Sequence, residues 1–385
     1  MSSPTVAVDP ALFSWALERS GVQQDAADRF PHLVEWLTTD RQPTLKQLDD
    51  FAAFTRTPIG FFFLDTPPRD VLPIPDFRTL GDRDVGQPSV DLLEVIYDCQ
   101  LRQQWYIDYA REAGISKVGL VGALTEGSDV VAAADAIRAF IDLPTHGRGG
   151  SWAEAFRTMT KKSEDAGFLV MTSGIVGNNT HRRLDPDEFR GFSLVDDVVP
   201  LIFVNGADTK AASIFTLAHE LAHLSIGQGG VDGLQLDQLT SPDTERWCNE
   251  VAAELLVPRA TLRASFDAQS PVPDELDRLA RLFRVSTLVV LGQLWSQRLL
   301  TMTWAQYQRT WQAEKDRVRG VGDTDASGGG NFYKTLPVRV SRRFATALVS
   351  ATIDGRTPFR EAAQLLGVGR TETFEKLSQE LGLVA

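Results

Sequence analysis

Residues 215–224 read FTLAHELAHL and carry His219, Glu220 and His223 in the spacing HExxH. On a helix, side chains four apart stand one turn above each other, so two imidazoles can offer nitrogens to a single metal ion while Glu220 projects beside them. A catalytic zinc needs three protein ligands and an open position, and it lowers the pKa of its water to about 7. Glu220 is then placed as general base, taking a proton from that water and delivering it to a leaving amine. With five histidines in 385 residues, the pattern arises by accident on the order of once in a hundred such chains. The flanking Phe215, Leu217, Ala218, Leu221, Ala222 and Leu224 make the segment nearly apolar, where unpaired polar groups are costly. A metal is the compensation this predicts; the alternative is a histidine pair satisfied by backbone hydrogen bonds.

A third ligand is expected from the following helix. Residues 244–258, TERWCNEVAAELLVP, offer Glu245, Cys248, Glu250 and Glu254, and spacing alone does not select among them. Helical geometry puts Glu245, Cys248, Asn249 and Ala252 on one face, with Glu250 about 140° around the axis from Glu245. Ser241, Pro242 and Asp243 supply a turn and a helix start.

FTLAHELAHL followed some twenty residues later by ERWCNEVAAELLVP resembles the ImmA/IrrE-type metallopeptidases. In that family the first Glu of the second motif is the third zinc ligand, which the resemblance assigns to Glu245 here. Asn249 and Ala252 complete the motif, and LLVP replaces the commoner LLMP. The likeness extends upstream through LVDDVVPLIFVN and LPIPDFRT, covering most of residues 1–300. It implies a zincin-like, gluzincin arrangement with one Zn2+ per chain and regulated cleavage of a transcriptional repressor or comparable protein. Asn249 and Asp243 are candidates to orient the metal histidines. His181 and Arg182, with Arg183 beside them, are candidates to stabilise a developing oxyanion, although such loop residues are more often plain surface.

The elements that must position these residues read as a predominantly helical α+β fold. Residues 1–66 contain short helices with apolar residues at helical spacing, such as Leu12, Trp15 and Ala16, Phe30, Leu33 and Trp36, then Leu48, Phe51 and Ala52. The order of ALERSGV, the Trp36 region, RQPT and LKQLDDFAAFTRTPIGFFFL resembles the helix-turn-helix domain of phage-repressor-like (XRE-type) regulators. Residues 67–88 form a linker in which Pro67, Pro68, Pro73, Pro75 and Pro88 prevent regular helix. Residues 89–318 form the peptidase region: helices over 89–113, 128–141 and 152–166, strand-like runs GFLVMTSG, GFSLV and VVPLIFVN, the metal helix over 209–225, and further helices over 260–317. Residues 319–330, with GVGDTDASGGG, read as a flexible linker. A small helical C-terminal segment follows over 331–385; its eight Lys or Arg against five Asp or Glu could serve a partner or simply be solvated.

Composition sets the remaining bounds. No run approaches the eighteen apolar residues a bilayer requires, the N-terminus lacks a secretory pattern, and two cysteines, Cys99 and Cys248, make no disulfide framework. A cytoplasmic protein without a membrane association is expected. The formal charge of −12 repels nucleic acid, and residues 1–66 hold five basic against nine acidic side chains. DNA is a disfavoured partner. Two function classes remain: a zinc endopeptidase cleaving one regulatory protein, or a DNA- or protein-binding regulator, such as an antitoxin-like partner of a toxin, whose zincin fold binds or senses.

Overall fold

The computed structural model describes residues 4–68, 72–74, 88–145, 148–229, 242–320 and 331–383. Most of the proline-rich linker, the chain between the two metal-site motifs and the glycine-rich 321–330 lie outside them. The chain forms two compact units, Met1–Leu72 with Gly81–Ile96, and Pro73–Leu80 with Tyr97–Ala385.

The first unit is helical. Helix α1 (Pro10–Ser20) starts where Asp9 accepts from the Ala11 N–H at 2.8 Å and ends at Gly21 with φ 66°, a left-handed position that suits glycine. Helices α2 (Gln23–Arg29), α3 (Leu33–Leu37) and α4 (Leu45–Phe54) follow, and a 3-10 turn spans Ile59–Phe63. A reciprocal capping box between Thr44 and Gln47 begins α4. The core is an aromatic cluster in which Phe13 stacks on Trp36 at 5.6 Å and meets Phe51 edge-on at 5.3 Å. Each such ring contributes about 1.5–3 kcal/mol through burial.

Helix α5 (Val90–Glu112) begins within the first unit and continues into the second. There, α6 (Val130–Phe140) and α7 (Trp152–Asp165) lead to strands β1 (Leu169–Ser173), β2 (Gly191–Leu194) and β3 (Leu201–Asn205). Among the described residues these pair in the order β1-β3-β2, β3 lying parallel to β1 and antiparallel to β2. Helices α8 (Lys210–Ser225) and α9 (Pro242–Leu256) come next. The register separates two faces. Val170, Ile202 and Val204 share a hydrophobic core with Leu217, Ala218 and Leu221 of α8, while on the other face Met171 touches Cys99 of α5 and Phe192 stacks on Phe203 at 5.1 Å. Covering both faces explains why β1 and β3 are uninterrupted apolar runs instead of alternating ones.

Helices α10 (Arg259–Ser265), α11 (Val272–Phe283), α12 (Thr287–Ser296) and α13 (Trp304–Gly320) continue the core. The α11–α12 junction falls at residues 284–286, with Arg284 in the left-handed region at φ 54° and Ser286 capping α12.

Helices α14 (Phe332–Arg339), α15 (Arg342–Ile353), α16 (Phe359–Leu366) and α17 (Thr371–Glu380) belong to this same unit. Arg343 donates to the Glu164 carbonyl at 3.0 Å and the Tyr106 hydroxyl at 3.1 Å, Arg339 to Asn178 at 3.1 Å, and Arg102 to the Leu365 carbonyl at 2.9 Å. Two of the charges that make this segment basic, Arg339 and Arg343, are therefore engaged internally. Among the described residues, no helix is long and apolar enough to cross a membrane.

Candidate metal centre

Strand β3 delivers the chain through a short turn to Thr209, whose hydroxyl accepts from the Ala212 N–H at 3.2 Å and starts α8. The sequence from Ser213 to Ser225 is buried apart from Phe215 and His219, which are half-buried, so the helix runs through the core and carries its polar residues with it. His223 is 1% exposed and Glu220 5%.

Glu245 lies in the first turns of α9. Its carboxylate meets both histidines: His219 Nε2 to Oε2 at 3.3 Å and His223 Nε2 to Oε1 at 3.3 Å. The two Nε2 atoms are 2.9 Å apart. Ligand atoms of these three residues all fall within 4.8 Å of one another, and they form the group that could hold a metal ion among the described residues.

The donor set fits such an ion on chemical grounds. Two imidazole Nε2 atoms at 2.9 Å oppose their lone pairs unless a cation or a proton lies between them. Tetrahedral zinc with bonds of about 2.0–2.1 Å separates its ligand atoms by roughly 3.3 Å, close to what is present. Beside them, Oε2 of Glu220 is buried without a hydrogen-bond partner among the described residues, as expected of a carboxylate facing a water or substrate.

Electrostatics binds the cluster in the absence of metal. Burial opposes protonation of His219, but the hydrogen bond to Glu245, the charges of Glu220 and Glu245 and a contribution from Asn249 outweigh it and raise its pKa above 6.5. Burial alone would raise the Glu245 pKa; hydrogen bonding and charge from His219 and His223 instead hold it at about 2. Cys248 is pushed up by burial and then by the Glu245 and Glu220 charges. It is fully buried in the core and is not among the grouped metal donors.

The edge strand contributes through what it lacks. A Cβ on Gly191 would lie 2.5 Å from Thr216 Cγ2, 2.7 Å from the Phe203 carbonyl and 3.6 Å from Glu220 Oε1. Only glycine lets β2 approach α8 this closely at the Glu220 turn.

The other candidates separate. Asn249 lies near enough to His219 to act on its protonation, whereas Asp243 is exposed and pairs with Arg246 at 2.5 Å. His181, Arg182 and Arg183 belong to the loop after β1, held by backbone bonds such as Val176 N–H to the Arg182 carbonyl at 3.0 Å and the Ile175–Arg183 bridge. His181 is not among the grouped metal donors.

Sequence reasoning missed two buried arginines. Arg138 of α6 donates to the carbonyls of Glu254 and Leu255 at 2.9 and 3.2 Å, and Arg148 donates to that of Leu256. These are the last carbonyls of α9, where cations stabilise the helix dipole, so the helix carrying Glu245 is pinned at its C-terminal end. Burial, then the neighbouring Arg138 charge, lowers the Arg148 pKa to about 10. The available signal was Arg138 following directly on Ala133, Ala134 and Ile137, the buried face of α6.

No curated protein and no solved structure matches the chain. Residues 340–380 match a domain of unknown function (DUF8813). Residues 163–294, which include all four residues of the metal-site cluster, match the peptidase family described as IrrE N-terminal-like domain. That match supports an ImmA/IrrE-type metallopeptidase domain in this chain.

Proposed function

We propose that this protein is a zinc-dependent endopeptidase that cleaves a specific regulatory protein, such as a transcriptional repressor. The observation carrying this reading is the convergence of His219, His223 and Glu245 beside the buried carboxylate of Glu220, within a region matching a peptidase family. His219, His223 and Glu245 would hold one zinc ion. Zinc supplies a Lewis acid that polarises a peptide carbonyl and brings the pKa of a water to about 7.

The chain's own residues do the rest. Glu220 takes the proton from the attacking water and returns it to the leaving amine, and its burial keeps bulk water from competing for that proton. Asn249 orients His219. Gly191 leaves room for Glu220 at the edge strand. Restricting cleavage to one target falls to surfaces outside the metal site, including the N-terminal unit.

A DNA-reading role for that unit has less support. Helix α3 spans five residues, Glu35 is its charged member, and Arg41 is engaged by His32 at 3.0 Å and by Glu35 at 3.4 Å. The test is N-terminal peptide mass spectrometry of cells producing the natural chain or Glu220→Gln. New N-termini in one or a few proteins, dependent on Glu220, are expected. Their absence, together with duplex DNA binding that weakens steeply with salt, would replace the peptidase with the regulator reading.

A further inference from the structure

We propose that the loop of residues 118–128 is the positioning element of the metal site, setting the separation of the two ligand-bearing helices, with Glu126 as its central residue. This rests on the reading of His219, His223 and Glu245 as metal ligands.

The loop is tied to α8 and to α9 by separate contacts. At the end of α8, where helical carbonyls lack internal partners, the Gly122 N–H donates to the Leu224 carbonyl at 3.1 Å and the Leu124 N–H to the Ser225 carbonyl at 2.8 Å. Gly122 and Gly227 both adopt φ 66°, and a Cβ on Gly227 would lie 3.3 Å from Gly122 Cα, so the two backbones touch directly. At the start of α9, the Trp247 Nε1–H donates to the Ser128 carbonyl at 3.0 Å.

Glu126 closes the clamp. Its Oε1 accepts from Gln228 Nε2 at 2.8 Å, just beyond α8, and from the hydroxyl of Thr244, the residue preceding Glu245. Thr244 is 1% exposed, which fixes this contact in the packed start of α9, and a carboxylate there is also favoured by the helix dipole. One oxygen thus joins the chain leaving His223 to the chain entering Glu245. Metal affinity depends on ligands held in place before binding, and partners that orient ligands typically matter about 10–100-fold.

The experiment titrates zinc chloride into chelator-stripped full-length protein against a chromophoric chelator, with thermal unfolding of each metal-free variant measured in parallel. Glu126→Ala is expected to weaken zinc binding about 10-fold. Glu126→Gln keeps a carbonyl oxygen for Thr244 and Gln228 and is expected to stay within about 3-fold of the natural chain, since the positioning hydrogen bonds survive. Ser341→Ala, which removes the α15 cap and the bond to Glu164, is expected to lower stability and leave zinc affinity unchanged. Should Glu126→Ala fail to fold, Trp247→Phe removes the N–H to Ser128 while keeping an aromatic ring, and a several-fold loss is expected from it. Equal loss in Glu126→Ala and Glu126→Gln would mean that the residue acts only through its charge and would overturn the proposal. So would zinc affinity that is unchanged in both Glu126→Ala and Trp247→Phe, or that falls only as far as in Ser341→Ala. If the natural chain binds no zinc, the metal site itself fails, and this inference with it.

Discussion

Replacing Glu245 by Gln should change the stability of the metal-free protein in a direction that depends on pH. The folded carboxyl sits at about 2 instead of its ordinary 4.5, so it binds its proton less readily when folded, and the ionised form stabilises the native state. A lowering of this size corresponds to a few kcal/mol at most; the side chain is 22% exposed, and screening by water leaves about 2 kcal/mol. This contribution is present above pH 4.5 and lost as pH falls through about 2. It also requires a protonated partner. His219, raised above 6.5, provides one, and its stabilisation is complete below pH 6.5 and lost as pH rises through the raised value. The metal-free cluster is thus strongest between about pH 4.5 and 6.5. Thermal unfolding in excess chelator should show Glu245→Gln less stable than the natural chain at pH 5.5 by about 2 kcal/mol, or about 4 °C for a unit of this size. The gap should narrow as pH rises through the raised His219 pKa. No gap at pH 5.5, or one that widens with rising pH, would refute the electrostatic account of the cluster. With zinc present the trend should reverse, because protons compete with metal for the same nitrogens.

Three further outcomes follow from the same geometry. Glu220→Gln should retain zinc and its melting temperature while losing about 10²–10⁴-fold in peptide hydrolysis, the usual worth of a general base; equal turnover by the variant would remove Glu220 from that role. Cys99, pushed up to about 12 by burial, and Cys248, also raised by burial, should react with a disulfide reagent only after denaturation, and rapid labelling of the native protein would contradict the packing of α5 and α9. Gly191→Ala should destabilise by about 1–3 kcal/mol through overpacking in a chemical denaturation series, since its Cβ would meet Thr216 Cγ2 of α8 at 2.5 Å; an unchanged midpoint would show that β2 does not approach α8 so closely.

The helical, α+β character and the course of α8 were legible because they rest on local patterns. Thr209 reads as a cap, the apolar residues from Ile214 to Leu224 fix the helix, and the two histidines stand out against them. Glu245 was harder to read, since Cys248 shares its helical face, and the family resemblance selected it where periodicity did not. Strand order was not legible. β3 lies between β1 and β2, and such pairing is set by contacts distant in sequence. The same cause hides Glu126, which reaches Thr244 across 118 positions, and Arg138, which reaches the Glu254 carbonyl across 116. A charged side chain in a loop or a helix's last turn looks like ordinary surface until the fold brings its partner. The reverse holds for Asp243, whose position before the motif suggests a role in the site but whose carboxylate turns to Arg246.

The most direct test of the central claim is zinc content by elemental analysis of folded, full-length protein purified without chelator, measured alongside Glu245→Ala. About one zinc per chain is expected, lost or weakened in the variant while it remains folded. A natural chain that is folded, holds no zinc and takes up none on titration would contradict it.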